Sequence, residues 1–242
     1  MKVVAINSSP NMDKGNTAVI LDPFIEGMKE AGAEVDLYYT KKLNINPCQG
    51  EFNCWFKTPG VCFQKDDMQW LLPKMNEAKI WVLATPLYVD GMSGPMKNLI
   101  DRIIPNARPA LELRDGHIRH PGRGQSRASR MVLVSNCGFW EKDNFDALLV
   151  HVQAICKNTK MRFKGALLRP HGPALKRMLQ IPGLVDDVIE AARDAGRQLI
   201  REDEISQETL DIVSRNLMSI EDYLNRGNPS SRQQASKTEK KS

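Results

Sequence analysis

The chain lacks any run close to the roughly 20 consecutive apolar residues of a membrane-spanning helix, and it has only five cysteines in 242 residues. The first absence argues against a helical membrane protein, the second against a disulfide scaffold. The N-terminus, MKVVAINSSP, runs straight into a strand-like segment without the apolar stretch of a signal peptide. A cytoplasmic location with no membrane partner is therefore expected. The formal charge is +5, but no zinc-finger spacing or RNA-binding aromatic pattern accompanies it. Much of the excess sits in residues 114–130 and 237–241, so nucleic acid is not an expected partner.

What is present is a composition, 41% hydrophobic and 26% charged, that suits one α/β domain with a substantial core. The apolar pattern predicts strands over 2–7, 35–39, 80–84, 131–135 and 163–168. Helices are predicted over 16–31, 93–104 and 184–200, with another starting at Asp143 whose face is Phe145, Leu148, Leu149, Val152, Ile155 and Cys156. Strands separated by helix-length crossovers predict an open five-stranded parallel sheet covered by helices on both faces. Residues 1–204 would form this domain, with a long Arg/Gly/Pro/His-rich insertion at 106–129 before the fourth strand. Leu210, Val213, Leu217, Ile220 and Leu224 recur at helical spacing and predict one accessory helix over 205–226. Residues 227–242 are polar and expected to be disordered.

Ligands of open parallel sheets bind at the carboxyl ends of the strands, so the loops after strands one, three and four decide function. The first loop, 7–17, has neither the glycine spacing of a dinucleotide fold nor the Gly-Lys-Ser/Thr of a triphosphate loop. It offers Ser9, Asn11, Gly15, Asn16 and Thr17 at a helix start, where free N–H groups and the helix dipole suit a phosphate. A polar turn in which Asn16 or Thr17 caps the helix fits this loop equally well. The loop after strand three carries Pro86, Leu87, Tyr88, Val89 and Met92, bulky and partly apolar where a connection is usually small. The loop after strand four carries Asn136, Gly138, Phe139 and Trp140. Aromatic and aliphatic side chains gathered at one rim can line a flat ring.

Ile6-Asn7-Ser8-Ser9-Pro10, followed by Gly15-Asn16-Thr17, resembles the Asn-Gly-Ser-Pro-Arg…Gly-Asn-Thr signature of the NAD(P)H-dependent FMN reductases of flavodoxin fold. Thr85-Pro86-Leu87-Tyr88…Lys97…Asp101-Arg102 is similar to their second flavin loop and the helix after it. Pro47-Cys48…Cys54…Gly60-Val61-Cys62…Asp66-Asp67-Met68 resembles the iron–sulfur flavoprotein branch. The likeness covers about the first 200 residues. It implies a flavodoxin-like fold and FMN as cofactor, with NAD(P)H as co-substrate in a ping-pong hydride transfer to a small-molecule or flavin acceptor. No catalytic acid or nucleophile is implied, because the cofactor supplies the chemistry. A homodimer or homotetramer is expected. The alternatives are an electron carrier reduced by ferredoxin and a fold relative that has lost its flavin.

Two positions depart from the pattern. Asn11 stands where the family has Arg, so that phosphate contact is either weaker or replaced by another group. In the cysteine loop, Cys48, Cys54 and Cys62 align with three of four cluster ligands, but the second position is Glu51. Carboxylate is a poor match for a [4Fe–4S] cluster, which normally uses four thiolates. Three readings stay open: a degenerate loop retaining only its shape, a cluster completed by Glu51 or another ligand, and zinc or redox-active thiols. Cys137 and Cys156 read as small apolar fillers, with Cys137 placed to approach the flavin. The insertion, with Arg119, His117 and His120, is expected either to fold over a flavin, its own or a neighbouring subunit's, or to be an exposed turn. His171, beside Arg169, is placed to reach the site.

Overall fold

The computed structural model describes residues 1–124 and 126–228. In chain order its elements are β1 (Lys2–Asn7), α1 (Asn16–Glu30), β2 (Glu34–Tyr39), α2 (Asn53–Phe56), α3 (Met68–Glu77), β3 (Ile80–Tyr88), β4 (Gly91–Met92) and α4 (Gly94–Asp101). They continue with β5 (Glu112–Arg114), β6 (His117–Arg119), β7 (Arg130–Asn136), α5 (Asp146–Thr159), β8 (Arg162–Arg169), α6 (Gly172–Met178), α7 (Asp186–Arg201), α8 (Gln207–Ser214) and α9 (Ile220–Gly227). Five parallel strands run in the order β2-β1-β3-β7-β8. That is the flavodoxin-type order, whose reversal point lies between β1 and β3.

Strand alternation sends successive side chains to opposite faces, and here both faces are apolar. Val3, Ala5, Ile80, Val82, Val132 and Val134 face α1, α6 and α7. Val4, Ile6, Trp81, Leu83, Met131 and Leu133 face α3, α4 and α5. Against β7, β8 carries an extra residue between Phe163 and Ala166, and Gly165 takes φ +131° there, which suits a β-bulge.

Helices α1 and α7 meet backbone to backbone. A Cβ on Gly27 would lie 1.8 Å from the Arg193 carbonyl oxygen, and one on Gly196 would lie 2.1 Å from that of Phe24. Glycine at both positions is what lets the two helices approach so closely. Arg193 and Arg197 of α7 then reach Glu26 and Glu30 of α1 at 2.6 and 2.9 Å along the exposed edge.

Several segments differ from expectation. β3 does not stop at 84: Thr85 and Pro86 stay in register with Ser135 and Asn136. Leu87 and Tyr88 then pair with Met92 and Gly91 in a tight hairpin. Its turn residues Val89 and Asp90 have φ of 47° and 60°, the conformation that a two-residue hairpin demands. The helix expected over 93–104 ends at Asp101, because Pro105 has no N–H to give the Asp101 carbonyl and its ring would clash there; Ile104–Asn106 form a separate short turn. The insertion is not without structure, since β5 and β6 pair antiparallel within it.

The single accessory helix is two helices, α8 and α9. The break is held by Arg169, whose buried guanidinium donates to the carbonyls of Val213 at 2.7 Å and Arg215 at 2.6 Å. Ser219 then starts α9 by accepting from the Asp222 N–H at 3.1 Å. Of the segment expected to be disordered, 227 and 228 belong to this end of the chain, and 229–242 lie outside the described residues.

Candidate functional site

The carboxyl ends of β1, β3 and β7 are joined by buried hydroxyl and amide side chains. Ser8 N–H donates to the Ala84 carbonyl at 2.8 Å, and Ser93 Oγ donates to Ser8 Oγ at 2.8 Å. Thr85 Oγ1 accepts from Ser93 N–H at 3.0 Å, and Ser135 Oγ donates to the Thr85 carbonyl at 2.7 Å. Thr17 Oγ1 donates to Asn136 Oδ1 at 2.6 Å, across 119 residues of sequence. The loops singled out by the sequence are thus one bonded unit.

Within the first loop, Asn7 Oδ1 accepts from Ser9 N–H at 2.9 Å and shapes the turn. Gly15 precedes α1, and a Cβ there would meet Ser9 Oγ at 2.3 Å. No side chain caps α1, so neither Asn16 nor Thr17 serves the capping role that the sequence allowed. Ala18 N–H donates to the Gly15 carbonyl at 3.2 Å, while the Asn16 and Thr17 N–H groups have no acceptor within their own helix. The Asn7 Nδ2 amide is buried and has no partner among the described residues. An anion at this helix start fits the free N–H groups of its first turn.

A cleft of about 220 Å³ opens here, lined by Ser9, Asn11, Asn16, Thr17, Pro86, Leu87, Tyr88, Asn136, Cys137, Gly138 and Pro173. Nine of the residues proposed from sequence therefore meet. Others stand apart. Gly15 acts behind the wall by making room for Ser9, and Met92 is buried in the core beneath β3. Val89 is fully exposed at the hairpin tip, and Phe139 is exposed as well. Trp140 turns away from the cleft: its indole donates to the Met218 carbonyl at 3.1 Å, and its ring stacks on His171. Nor does His171 line the cleft. It is fully buried, accepting from Leu217 N–H through Nε2 at 3.1 Å. Burial, with Arg169 beside it, pushes its pKa down to about 4.

Several contributors were not legible beforehand. Pro173 of α6 supplies a wall; a proline just inside a helix start after the last strand was the available signal. Lys41 donates to the Pro10 carbonyl at 2.9 Å, and Lys176 donates to that of Lys14. Both hold cations against the first loop, where Asn11 has replaced the family's arginine. Cys137 lines the cleft as its position suggested, and burial raises its pKa, keeping it a thiol.

The cysteine loop ends elsewhere. Cys48, Cys54, Cys62 and Glu51 border a pocket of about 10 Å³ beside Arg102. Arg102 Nη2 donates to Cys62 Sγ at 3.4 Å and Nη1 to Asp66 at 2.6 Å. Among the described residues no group of three or more His, Cys, Asp or Glu is arranged to hold a metal ion. The three thiols are neighbours around that pocket with Glu51 in place of a fourth thiolate, a donor set that does not match the four thiolates of a [4Fe–4S] cluster. The insertion also departs from one expectation, because none of its residues lines this chain's own cleft.

The fold and its bonded loops define a flavodoxin-like α/β protein with a polar cleft at the sheet's carboxyl edge. The family model for NADPH-dependent FMN reductases matches residues 1–139, and the chain belongs to that family. It is 42% identical over 102 residues to an iron–sulfur flavoprotein of Archaeoglobus fulgidus, covering 42% of this chain and 48% of that protein. An iron–sulfur flavoprotein of Methanocaldococcus jannaschii is 35% identical over 115 residues, covering 48% and 58%. The chain thus spans about half the length of these relatives. Among solved structures it is similar to an NAD(P)H:quinone oxidoreductase from Methanothermobacter marburgensis, with TM-score 0.56, 17% identity and coverage of 82% and 96%. It is also similar to an FMN-dependent NADH-azoreductase from Bacillus anthracis in complex with FMN, with TM-score 0.59, 15% identity and coverage of 83% and 99%. Likeness at these identities speaks for the fold.

Proposed function

We propose that the chain is an FMN-dependent NAD(P)H oxidoreductase whose flavin occupies the cleft between β1, β3 and β7. The observation that carries this is the uncapped start of α1 beside Ser9, Asn16 and Thr17, facing Pro86, Leu87 and Tyr88 across one cleft. The first loop and α1 N–H groups would hold the phosphate, with Lys41 and Lys176 adding positive charge. Pro86, Leu87 and Tyr88 would support the ring, and backbone groups at 136–138 would meet its polar edge. Bound there, FMN would take hydride from a nicotinamide and pass electrons to a small acceptor.

The cleft, about 220 Å³, is below the roughly 300 Å³ at which ligand pockets usually begin. It would therefore hold the phosphate end and only part of the ring. The uncovered part suits a nicotinamide or a neighbouring subunit, so a homo-oligomer is part of this reading. Among the described residues no helix is long and apolar enough to cross a membrane, which supports the proposal of a cytoplasmic enzyme.

The test is the visible spectrum of anaerobically purified protein with parallel FMN, iron and sulfide assays, followed by steady-state NADPH oxidation. Stoichiometric FMN, little iron and direct NADPH oxidation are expected. A colourless protein that does not take up FMN would overturn the reading. Reduction only through ferredoxin would make the chain a carrier instead.

A further inference from the structure

A second, larger cavity lies at the other end of the sheet. It measures about 800 Å³, and its wall includes Trp81 near the start of β3, Ala128 before β7, and Lys160 and Met161 before β8. The insertion roofs it through Arg114, His120 and Arg123. The flavin cleft shares no lining residue with it. Phe52 and Ile104 line both this cavity and the small thiol pocket. Its volume falls within the roughly 300–1,000 Å³ typical of small-molecule sites.

One side of the wall is aromatic. The rings of Phe52 and Trp55 are 5.0 Å apart, and that of His120 is 4.7 Å from Trp55. Trp55 is fixed by donating its indole N–H to the Ile104 carbonyl at 3.1 Å. Cationic side chains also line the cavity, Arg114, Arg123 and Lys160. Lys160 and Arg114 share one carboxylate, Glu112, at 3.0 and 3.4 Å. Asp101, the carboxylate in the wall, is already paired with Lys97 at 2.5 Å. Arg123 donates Nε–H to the Pro105 carbonyl at 3.0 Å, while its Nη2 is buried with no partner among the described residues. Arg123 lines the cavity as a residue, and a guanidinium there favours an anionic partner.

We infer that this cavity binds a flat aromatic organic anion, a carboxylate or sulfonate, with its ring against Phe52 and Trp55 and its charge on Arg123. Size, aromatic wall and cationic lining all select that chemistry; a neutral aromatic would leave Arg123 without a counter-charge, and a bare inorganic anion would leave the apolar wall wet. The insertion is the part of the chain that makes the site.

Isothermal titration with 2-naphthoate tests this on the full chain, with and without saturating FMN, using 2-naphthol as the neutral control. The expected result is 1:1 binding of naphthoate in both conditions and at least tenfold weaker binding of naphthol. Arg123→Met should weaken naphthoate at least tenfold while leaving naphthol unchanged. Trp55→Leu should weaken both, and Arg123→Lys should recover part of the affinity. Thermal melts and FMN uptake report whether each variant is folded. Equal affinity in wild type, Arg123→Met and Trp55→Leu would overturn the inference, as would displacement of naphthoate by FMN. Because the titration is read with and without FMN, its failure is distinguishable from failure of the flavin proposal.

Discussion

Thr17 at the start of α1 and Asn136 at the end of β7 share a buried hydrogen bond of 2.6 Å. It closes the first loop onto the far side of the cleft, so the two sides of the proposed flavin site are held at a fixed separation. Replacing Thr17 with valine keeps the shape and leaves the Asn136 oxygen without its donor, at a cost of about 1–3 kcal/mol. If half of this appears in ligand binding, the Kd for FMN rises roughly two- to twelvefold. Quenching of flavin fluorescence on titration measures it, and an unchanged Kd would separate this bond from the flavin site.

Gly27 and Gly196 lead to a stability prediction. Alanine normally favours a helix over glycine by about 1 kcal/mol. Here the added methyl group would sit 1.8 or 2.1 Å from a backbone oxygen of the facing helix, and forcing helices apart costs typically 1–3 kcal/mol, occasionally more. Gly27→Ala and Gly196→Ala should each lower stability, by up to about 2 kcal/mol, or more where the clash is severe, after the propensity gain. Urea midpoints would show it, and a rise in midpoint would mean that the helices slide apart freely.

Those glycines show where sequence reading stops. The five parallel strands were legible because their faces alternate between two apolar layers, and α1, α5 and α7 because their apolar residues recur every three or four positions. Gly27 and Gly196 carry no such pattern; their role exists only once the two helices cross. Likewise Tyr88 and Leu87 read as loop because Pro86 interrupts the run, yet β4 returns to pair with them. The seam from Leu210 to Leu224 has perfect helical spacing, and nothing local announces that Arg169, about 40 residues earlier in the sequence, opens it by taking the carbonyls of Val213 and Arg215. The cleft's polar residues were found because three loops share one edge. Trp140 was misplaced because aromatic character at a strand end does not say which way the ring turns.

The Arg102–Asp66 pair predicts a different kind of loss. Both side chains are essentially buried, 2.6 Å apart. Burial pushes the Asp66 carboxyl up, but the hydrogen bond and charge of Arg102, with the Asn46 and Met68 amides, hold it below the usual carboxylate range. Arg102→Met would leave a buried carboxylate unpaired, costing about 3–5 kcal/mol, and would loosen the cysteine loop through Asn46 and Cys62. A depressed carboxyl contributes stability above its ordinary pKa that disappears as pH falls through the folded value. The wild type should therefore lose stability at the acid end of the range, and Arg102→Met should show a weaker acid dependence there. Chemical denaturation across pH 2–6 would decide.

His171 gives an acid dependence at milder pH. Its folded pKa lies near 4 against an ordinary 6.5, so the unfolded chain binds more protons between those values. The neutral ring's contribution is complete above about pH 6.5 and is lost as pH falls toward 4. Protonation also removes the acceptor for Leu217 N–H, which should free the segment leading into α9. Trp140 fluorescence should change in step, since its ring stacks 6.3 Å from His171. His171→Phe should flatten both responses over that interval; persistence of the Trp140 transition would assign it to another group.

Arg169 gives the end of the chain an influence on the cleft. Its guanidinium is fully buried, and its hydrogen-bond acceptors are all uncharged: the carbonyls of Pro170, Val213, Ser214 and Arg215, with the His171 ring alongside. The neighbouring Tyr223 donates its hydroxyl to the Gly138 carbonyl at the cleft wall. A chain ending before residue 207 would leave that positive charge stranded in an apolar layer and uncover the cleft's edge together. Shortening of this kind should be felt as loss of folding first and loss of ligand second, although no removed residue lines the cleft.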